Sequence, residues 1–147
     1  MRKTILQNQT TRFNLKRMLV LCMLLTTNAL FAQFSQLRIT VTAANNLHLQ
    51  EVEWMVSGIA HPTVDLASNS QDGYFVSSAK AGSGAFRAYD GTSDKVYVGN
   101  NVPYEVTLEV PTAISPTSVR IQKPSWSGLT DFICEGYDGS AWVELAH

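Results

Sequence analysis

The chain has 147 residues and two cysteines, and its formal net charge is −1. Five of its eleven basic residues lie within the first 17 positions, so the remainder carries six basic and twelve acidic side chains, a formal charge of −6. A surface of that sign repels phosphate backbones, which argues against nucleic acid as a partner.

The amino-terminal segment is typical of a secretory signal peptide. A basic stretch precedes an apolar run from Met18 to Phe31, and Ala32 is a small residue at a plausible cleavage point. The alternative is a membrane anchor, but the run is shorter than the roughly 20 apolar residues that a hydrocarbon core requires. The sequence therefore predicts a signal peptide over residues 1–32 and a secreted, extracellular or periplasmic protein without stable membrane insertion. Residues 33–147 then form one small domain.

Period-two alternation dominates the predicted domain. Leu37, Ile39 and Val41 alternate with polar residues, and the same alternation runs from Tyr104 to Val110, between Pro103 and Pro111. Turn signals separate the segments: Asn45-Asn46, Asp72-Gly73, Gly82-Ser83-Gly84 and Asn100-Asn101. Many short strands between regularly spaced turns predict an all-β antiparallel sandwich or barrel.

A hairpin is the clearest element, near the carboxyl end. Asp138-Gly139 tolerates the positive dihedrals of a tight turn, so Phe132–Gly136 and Ala141–Leu145 are predicted to pair as antiparallel strands. Cys134 is the only cysteine of the predicted domain, which excludes an intrachain disulfide there. Its alternation with Phe132 predicts a buried small hydrophobe.

Three motifs along the chain resemble those of the discoidin, or coagulation-factor type C, family. Members of that family typically read A-F-D-G, then V-x-S-x-R-I, then D-F-x-L-E-G-S-x-D-G-x-x-W. The corresponding segments are AYDG at 88–91, SVRIQ at 118–122 and DFICEGYDGSAW at 131–142. A fourth segment, LRITVTAANNLHLQEVEW at 37–54, is similar to the segment that closes many such domains.

The resemblance implies a galactose-binding-like jelly roll. Since the fourth segment comes first here, it also implies circular permutation, which suits a compact domain whose termini lie close together. A strand that the family places between the hairpin and the fourth segment is missing. Either residues 33–36 and a trimmed sheet edge replace that strand, or the domain has an exposed sheet edge, which another copy of the chain or a partner could pair with.

The resemblance further implies a structural calcium ion. The matching residues are Asp90, Asp94 and Glu51, whose carboxylates are the hard oxygen ligands that calcium prefers. Arg87 and Lys95 stand beside these positions, where they would oppose a metal or replace it by pairing with Asp90 and Glu51. An Asp-Gly turn with a surface ion pair is the simpler alternative.

Ligands of the family usually bind at loops on one end of the barrel. The corresponding loops here offer an aromatic face that can stack on a sugar ring, with amides and cations that can bind its hydroxyls. The predicted ligand-binding residues are Trp126, Lys123, Arg87, Asn100, Asn101 and Tyr104, although a place in the core is the alternative for Tyr104. Trp126 lies in the loop-like segment KPSWSG, where it either stacks on a sugar or anchors the loop.

Together these features predict a noncatalytic, lectin-like module that binds a glycan or another cell-surface ligand. The alternative is an adhesion protein that binds another protein through the same loops or through the sheet edge. Glu51 and Glu53 lie two apart on one strand face and could mimic a glycosidase pair, but such enzymes place their carboxylates on different elements. The sequence contains no catalytic triad pattern, so it predicts no enzymatic activity.

Overall fold

Alternating apolar side chains build most of the chain into antiparallel strands, as the sequence predicts. The computed structural model describes residues 32–45, 47–78, 84–92, 96–99, 102–125 and 127–147. A 3₁₀ helix, Ala85–Tyr89, lies between the sixth and seventh strands. The strands are β1 (Phe34–Asn45), β2 (Leu47–Leu49), β3 (Glu51–Val56), β4 (Ile59–His61), β5 (Ser70–Gln71), β6 (Tyr74–Ser78), β7 (Val96–Gly99), β8 (Tyr104–Ile114), β9 (Ser118–Gln122), β10 (Gly128–Tyr137) and β11 (Trp142–Ala146).

The strands form three sheets in the described part of the chain. A six-stranded sheet has the order β11-β10-β1-β8-β6-β5, a three-stranded sheet has the order β4-β3-β9, and β2 pairs with β7. Their inward side chains share one core, whose largest fully buried members are Trp54, Tyr89 and Tyr104. The predicted all-β sandwich is confirmed. Jelly-roll topology stays a prediction.

The two long central strands follow the predicted alternation. Leu37, Ile39 and Val41 of β1 are at most 1% exposed. The prediction that Pro111 ends β8 is wrong, because the strand continues to Ile114. Pro111 has no N–H to donate to a neighbouring strand. It lies where the pairing of β8 with β1 shifts register, between the pairs Gln36–Glu109 and Phe34–Ile114, so the regular hydrogen-bond ladder is interrupted there anyway.

The predicted hairpin is confirmed as β10 and β11, although β10 begins four residues earlier than predicted and β11 is displaced by one residue. Asp138 Oδ1 accepts two backbone hydrogen bonds across the turn, at 2.8 and 2.9 Å, and Gly139 has a φ of +99°. On the outer face, the Arg38 guanidinium lies 4.0 Å from the centroid of the Trp142 ring. Arg38 Nε also donates to Glu135 at 2.8 Å. Trp142 therefore anchors the sheet rather than standing free as a binding platform.

In the described part of the chain, β11 lies at one end of the six-stranded sheet and pairs only with β10, which is consistent with the predicted sheet edge. Among the described residues, no helix has the length and apolar character that crossing a membrane requires. Apart from Ala32, the predicted signal peptide lies outside the described residues. Export and cleavage therefore stay predictions.

Cys134 is buried in the core, as predicted, and its thiol is expected to resist alkylation in the folded protein. The side chain is 0% exposed, and burial raises the pKa of the thiol to about 11, with a smaller contribution from Glu135. Because the thiolate is the reactive form, iodoacetamide should label Cys134 slowly in buffer and rapidly in urea. Peptide mapping separates this residue from Cys22. Equal labelling rates in the two conditions would contradict the buried position.

Candidate functional site

An open cleft of about 1070 Å³ runs along β3 and β9 of the three-stranded sheet. Segments 59–65 and 89–92 border it, and we call it the β3–β9 cleft. Its size is in the range of small-molecule and sugar sites, although it is more open and more polar than most. Its lining includes the side chains of Glu51, Glu53, Ile59, His61, Val64, Asp65, Arg120, Gln122 and Lys123.

The β3–β9 ladder arranges the charged floor of the cleft. Alternation turns Glu51 and Glu53 away from the core, and their partners in register are Gln122 and Arg120. Arg120 Nη1 donates to Glu53 Oε2 at 2.8 Å. This exposed ion pair contributes little to stability, but it holds a guanidinium across the floor.

Hydrogen bonds fix segment 59–65, which forms one wall of the β3–β9 cleft. The buried Tyr74 hydroxyl accepts the N–H of Thr63 at 3.3 Å and lies 3.5 Å from His61 Nδ1. Further along, the N–H of Leu66 donates to the carbonyl of Tyr89 at 2.9 Å. The wall is therefore preorganised by contacts with both β6 and the 3₁₀ helix.

The same wall exposes apolar side chains to the cleft. Ile59 is 60% exposed and Val64 is 39% exposed. His61 lies between them, and burial lowers the pKa of its imidazole below the usual value, which favours the neutral ring at pH 7. The cleft is thus lined by exposed apolar side chains as well as by the charged and polar side chains of β3 and β9.

Two carboxylates meet at Gly91. The N–H of Gly91 donates to Glu51 Oε2 at 3.0 Å, and a Cβ added at Gly91 would overlap the carboxylate of Asp65. Gly91 also has a φ of +65°, in the left-handed region that glycine adopts without strain. Only glycine therefore lets the two acidic side chains approach from both sides.

The environment of Glu51 favours its protonated form. Burial raises the pKa of Glu51 to about 8, and the charges of Asp90, Glu53 and Asp65 add to this effect, while the Gly91 hydrogen bond opposes it. At neutral pH most molecules therefore carry a proton on Glu51. In that state the side chain can donate a hydrogen bond to a ligand as well as accept one.

The predicted calcium ligands are only partly assembled in the described part of the chain. Asp90 is 9% exposed, and its Oδ1 accepts hydrogen bonds from the N–H and hydroxyl of Thr92 at 3.0 and 2.8 Å. The described residues contain no group of three or more acidic, histidine or cysteine side chains placed to hold a metal ion. Within them, neither Asp90 nor Glu51 forms an ion pair with Arg87. Asp94 and Lys95 lie outside the described residues. Calcium binding therefore stays a prediction, and so does the alternative in which Lys95 takes the place of the metal by pairing with the carboxylates.

Of the predicted ligand residues in the described part of the chain, one lines the β3–β9 cleft. Lys123 lines the β3–β9 cleft, and its Nζ donates to the carbonyls of Ser127 and Leu129 at 3.1 Å each. Arg87 is exposed on the 3₁₀ helix and does not line the cleft. Trp126, Asn100 and Asn101 lie outside the described residues.

Tyr104 requires a correction. It is predicted as a loop residue that contacts ligand, but its side chain is 1% exposed and belongs to the core. The reason is its position in the alternation of the strand. Tyr104 is the first residue of β8, and its side chain points to the same buried face as those of Val106 and Leu108. A side chain in that position stabilises the sandwich and cannot reach a ligand.

Sequence reasoning missed most of the cleft. Arg120 and Gln122 alternate with Val119 and Ile121, which is a signal that they face outward, but the sequence does not say that β9 pairs with β3. Asp65 lies in an irregular segment without any pattern. Comparison with known proteins found no matching family model, no matching curated protein and no matching solved structure, so the functional assignment depends on the geometry of the cleft and on the sequence.

Proposed function

We propose that this protein is a noncatalytic binding module and that the β3–β9 cleft holds a glycan. The observation that carries the proposal is the mixed lining of the cleft. Exposed Ile59 and Val64 line the same cleft as Arg120, Gln122 and Glu51. A pyranose ring has an apolar face and a rim of hydroxyls, so it can contact both kinds of side chain.

The chemistry of the floor suits hydroxyl groups in particular. The Arg120 guanidinium donates only, the Gln122 amide donates and accepts, and a protonated Glu51 does both. The ladder with β3 and the anchored wall hold these groups in place before binding. A preorganised site loses little conformational entropy when it binds, which favours reversible docking without backbone movement.

The resemblance to discoidin domains supports the ligand class and the jelly-roll interpretation of the sandwich. The proposed location differs from the loop site that the resemblance implies, and Lys123 is the predicted ligand residue that lines the cleft. We also propose that the module acts outside the cell, after cleavage near Ala32. Amino-terminal sequencing of the exported protein tests that cleavage.

Replacing Arg120 by methionine is expected to weaken glycan binding about tenfold or more, because a charge-assisted hydrogen bond contributes about 1.5–3 kcal/mol. A glycan array first identifies the sugar, and isothermal titration then compares the variants. Arg87→Met is the matched control, since it removes the same charge from an exposed position outside the cleft. Trp126→Ala tests the predicted stacking residue in the same series.

Loss of binding in Arg87→Met with full binding in Arg120→Met would contradict the proposal that the glycan binds in the β3–β9 cleft. It would favour the loop site that the family resemblance implies. No binding to any glycan would contradict the ligand class. The titration is repeated with a chelator and with added calcium, which tests the predicted metal. A requirement for calcium would show that the metal belongs to the binding-competent protein.

A hydrolase is the second candidate, and the protonated state of Glu51 in a cleft favours it. A carboxylic acid that keeps its proton at neutral pH is suited to general acid catalysis, and Glu53 and Asp65 supply carboxylates nearby. Incubation with the bound glycan should then release reducing ends. That release should disappear in Glu51→Gln, whereas a binding module releases none.

The sheet edge supports the third candidate, an adhesion protein with a protein partner. β11 lies at the edge of the six-stranded sheet, and Val143 and Leu145 are partly exposed on it. Light scattering over a range of protein concentrations tests self-association through this edge. An absence of sugar binding together with concentration-dependent association would favour this candidate over the glycan module.

A further inference from the structure

A groove, which we call the β9 seam, runs along the edge of β9 (Ser118–Gln122) that faces β10 and β11. β9 pairs with β3 on one side, and among the described residues no strand pairs with its other side. The backbone N–H and C=O groups of that edge are therefore available. Such an edge is a template for one more strand.

Two small cavities lie along this β9 seam, with volumes of about 250 and 190 Å³. Val119 lines both of them. Ile121 and Phe132 line the first, and Leu145 lines the second. Val119, Ile121 and Phe132 are only partly buried although they pack against the core. The apolar interior of the sandwich is thus incompletely covered at this position.

β11 gives independent evidence for the same gap. Val143 and Leu145 are 38% and 37% exposed, and their alternation along the strand places them on one face. Leu145 lines the second cavity, so this face is turned toward the seam. The six-stranded sheet therefore presents apolar side chains that the three-stranded sheet does not cover.

We propose that the β9 seam binds an extended segment of a partner protein, which adds to β9 as a strand and places two apolar side chains in the two cavities. Strand addition draws its affinity from main-chain hydrogen bonds and its specificity from pockets for alternate side chains. A second copy of this chain, whose edge strands could pair with β9 without leaving their own sheets, is the alternative that a measurement of self-association distinguishes.

Charge complementarity orients the partner segment. Lys123 lines the first cavity, and in the described part of the chain it forms no ion pair with a carboxylate. Its Nζ donates to the carbonyls of Ser127 and Leu129, which leaves one of its three N–H groups for a further acceptor. An acidic residue at that end of the segment would pair with it. The partner motif is therefore an extended run with apolar residues at alternate positions and a carboxylate at one end. This inference does not depend on glycan binding in the β3–β9 cleft.

The test uses synthetic peptides of about nine residues, long enough to cover β9, in which valine alternates with threonine and aspartate ends the pattern. Fluorescence anisotropy measures binding to the folded protein. Two further peptides carry N-methyl groups at the odd or at the even positions. Strand addition predicts that one methylated peptide loses binding and the other keeps it, because only alternate N–H groups face β9.

Leu145→Glu is expected to weaken binding of the unmodified peptide about tenfold or more, because it places a charge in the second cavity. Phe75→Glu is the matched control, since it makes the same kind of change at an exposed apolar position on β6, away from the seam. Equal binding of both methylated peptides, or an equal effect of both variants, would overturn the proposal. No binding at millimolar peptide would overturn it as well. If the protein self-associates and Leu145→Glu abolishes this association, the proposal of a partner protein would be overturned, and a second copy of this chain would be the occupant of the β9 seam.

Discussion

Replacing Trp54 by alanine is expected to lower the free energy of unfolding by about 3–5 kcal/mol, the cost typical of removing a buried large aromatic side chain. Trp54 is 1% exposed and is the largest of the fully buried side chains. It lies on β3, directly next to Glu53 of the cleft floor but on the opposite face. Because small domains are stable by only about 5–15 kcal/mol, the variant should be close to unfolding at 25 °C.

Urea denaturation followed by far-ultraviolet circular dichroism measures this effect without relying on tryptophan fluorescence. Trp54→Phe is the control, since it keeps an aromatic ring in the core and should lose much less stability. We also expect Trp54→Ala to weaken ligand binding in the β3–β9 cleft, because β3 supports the floor. A stability loss below about 1 kcal/mol would show that Trp54 does not hold the two main sheets together.

Glu51→Gln is expected to stabilise the protein above pH 8 by roughly 2 kcal/mol, an amount reduced for the partial exposure of the side chain. The pKa of Glu51 is raised from 4.5 to about 8 in the folded protein, mainly by burial. Between these values the folded protein retains a proton that the unfolded chain releases. The free energy of unfolding contributed by Glu51 therefore falls as the pH rises from about 4.5 to 8 and is level above that.

Urea unfolding at a series of pH values measures the difference between Glu51→Gln and the unchanged protein. The difference should be near zero at pH 4, where Glu51 is protonated in both states, and should grow toward pH 8. Gln retains an oxygen that can accept the Gly91 N–H. Glu144→Gln on the exposed edge strand is the control and should show no such growth. A constant difference across the range would contradict the raised pKa of Glu51.

Local patterns in the sequence were sufficient for the individual strands. The alternation of Leu37, Ile39 and Val41 predicted which face of β1 is buried, and Asp138-Gly139 predicted the turn of the last hairpin. Both are confirmed because each depends on residues that are close together in the chain. The wrong assignment of Tyr104 could also have been avoided from local sequence. Tyr104 lies two positions before Val106, so the alternation already indicated that both side chains face the core.

The candidate site could not be predicted in the same way, because it is made of residues that are distant in sequence. Glu51 is 40 positions from Gly91 and 67 or more positions separate the β3 carboxylates from their β9 partners. No period or motif marks Asp65, which reaches the site only because the segment after β4 is held against the 3₁₀ helix. Among the described residues, Lys123 is the loop residue predicted from the family resemblance that also lines the cleft.

The sequence by itself determined the all-β class, the strands with clear alternation and the acidic balance of the predicted domain, because these depend on side-chain period and composition. Only the tertiary structure decided that β9 pairs with β3, that Glu51 lies half-buried beside Asp65 and Gly91, and that no strand among the described residues pairs with the far edge of β9. Strand pairing between distant segments depends on the combined packing of the whole core. Burial and the pKa of an acidic group follow from that packing.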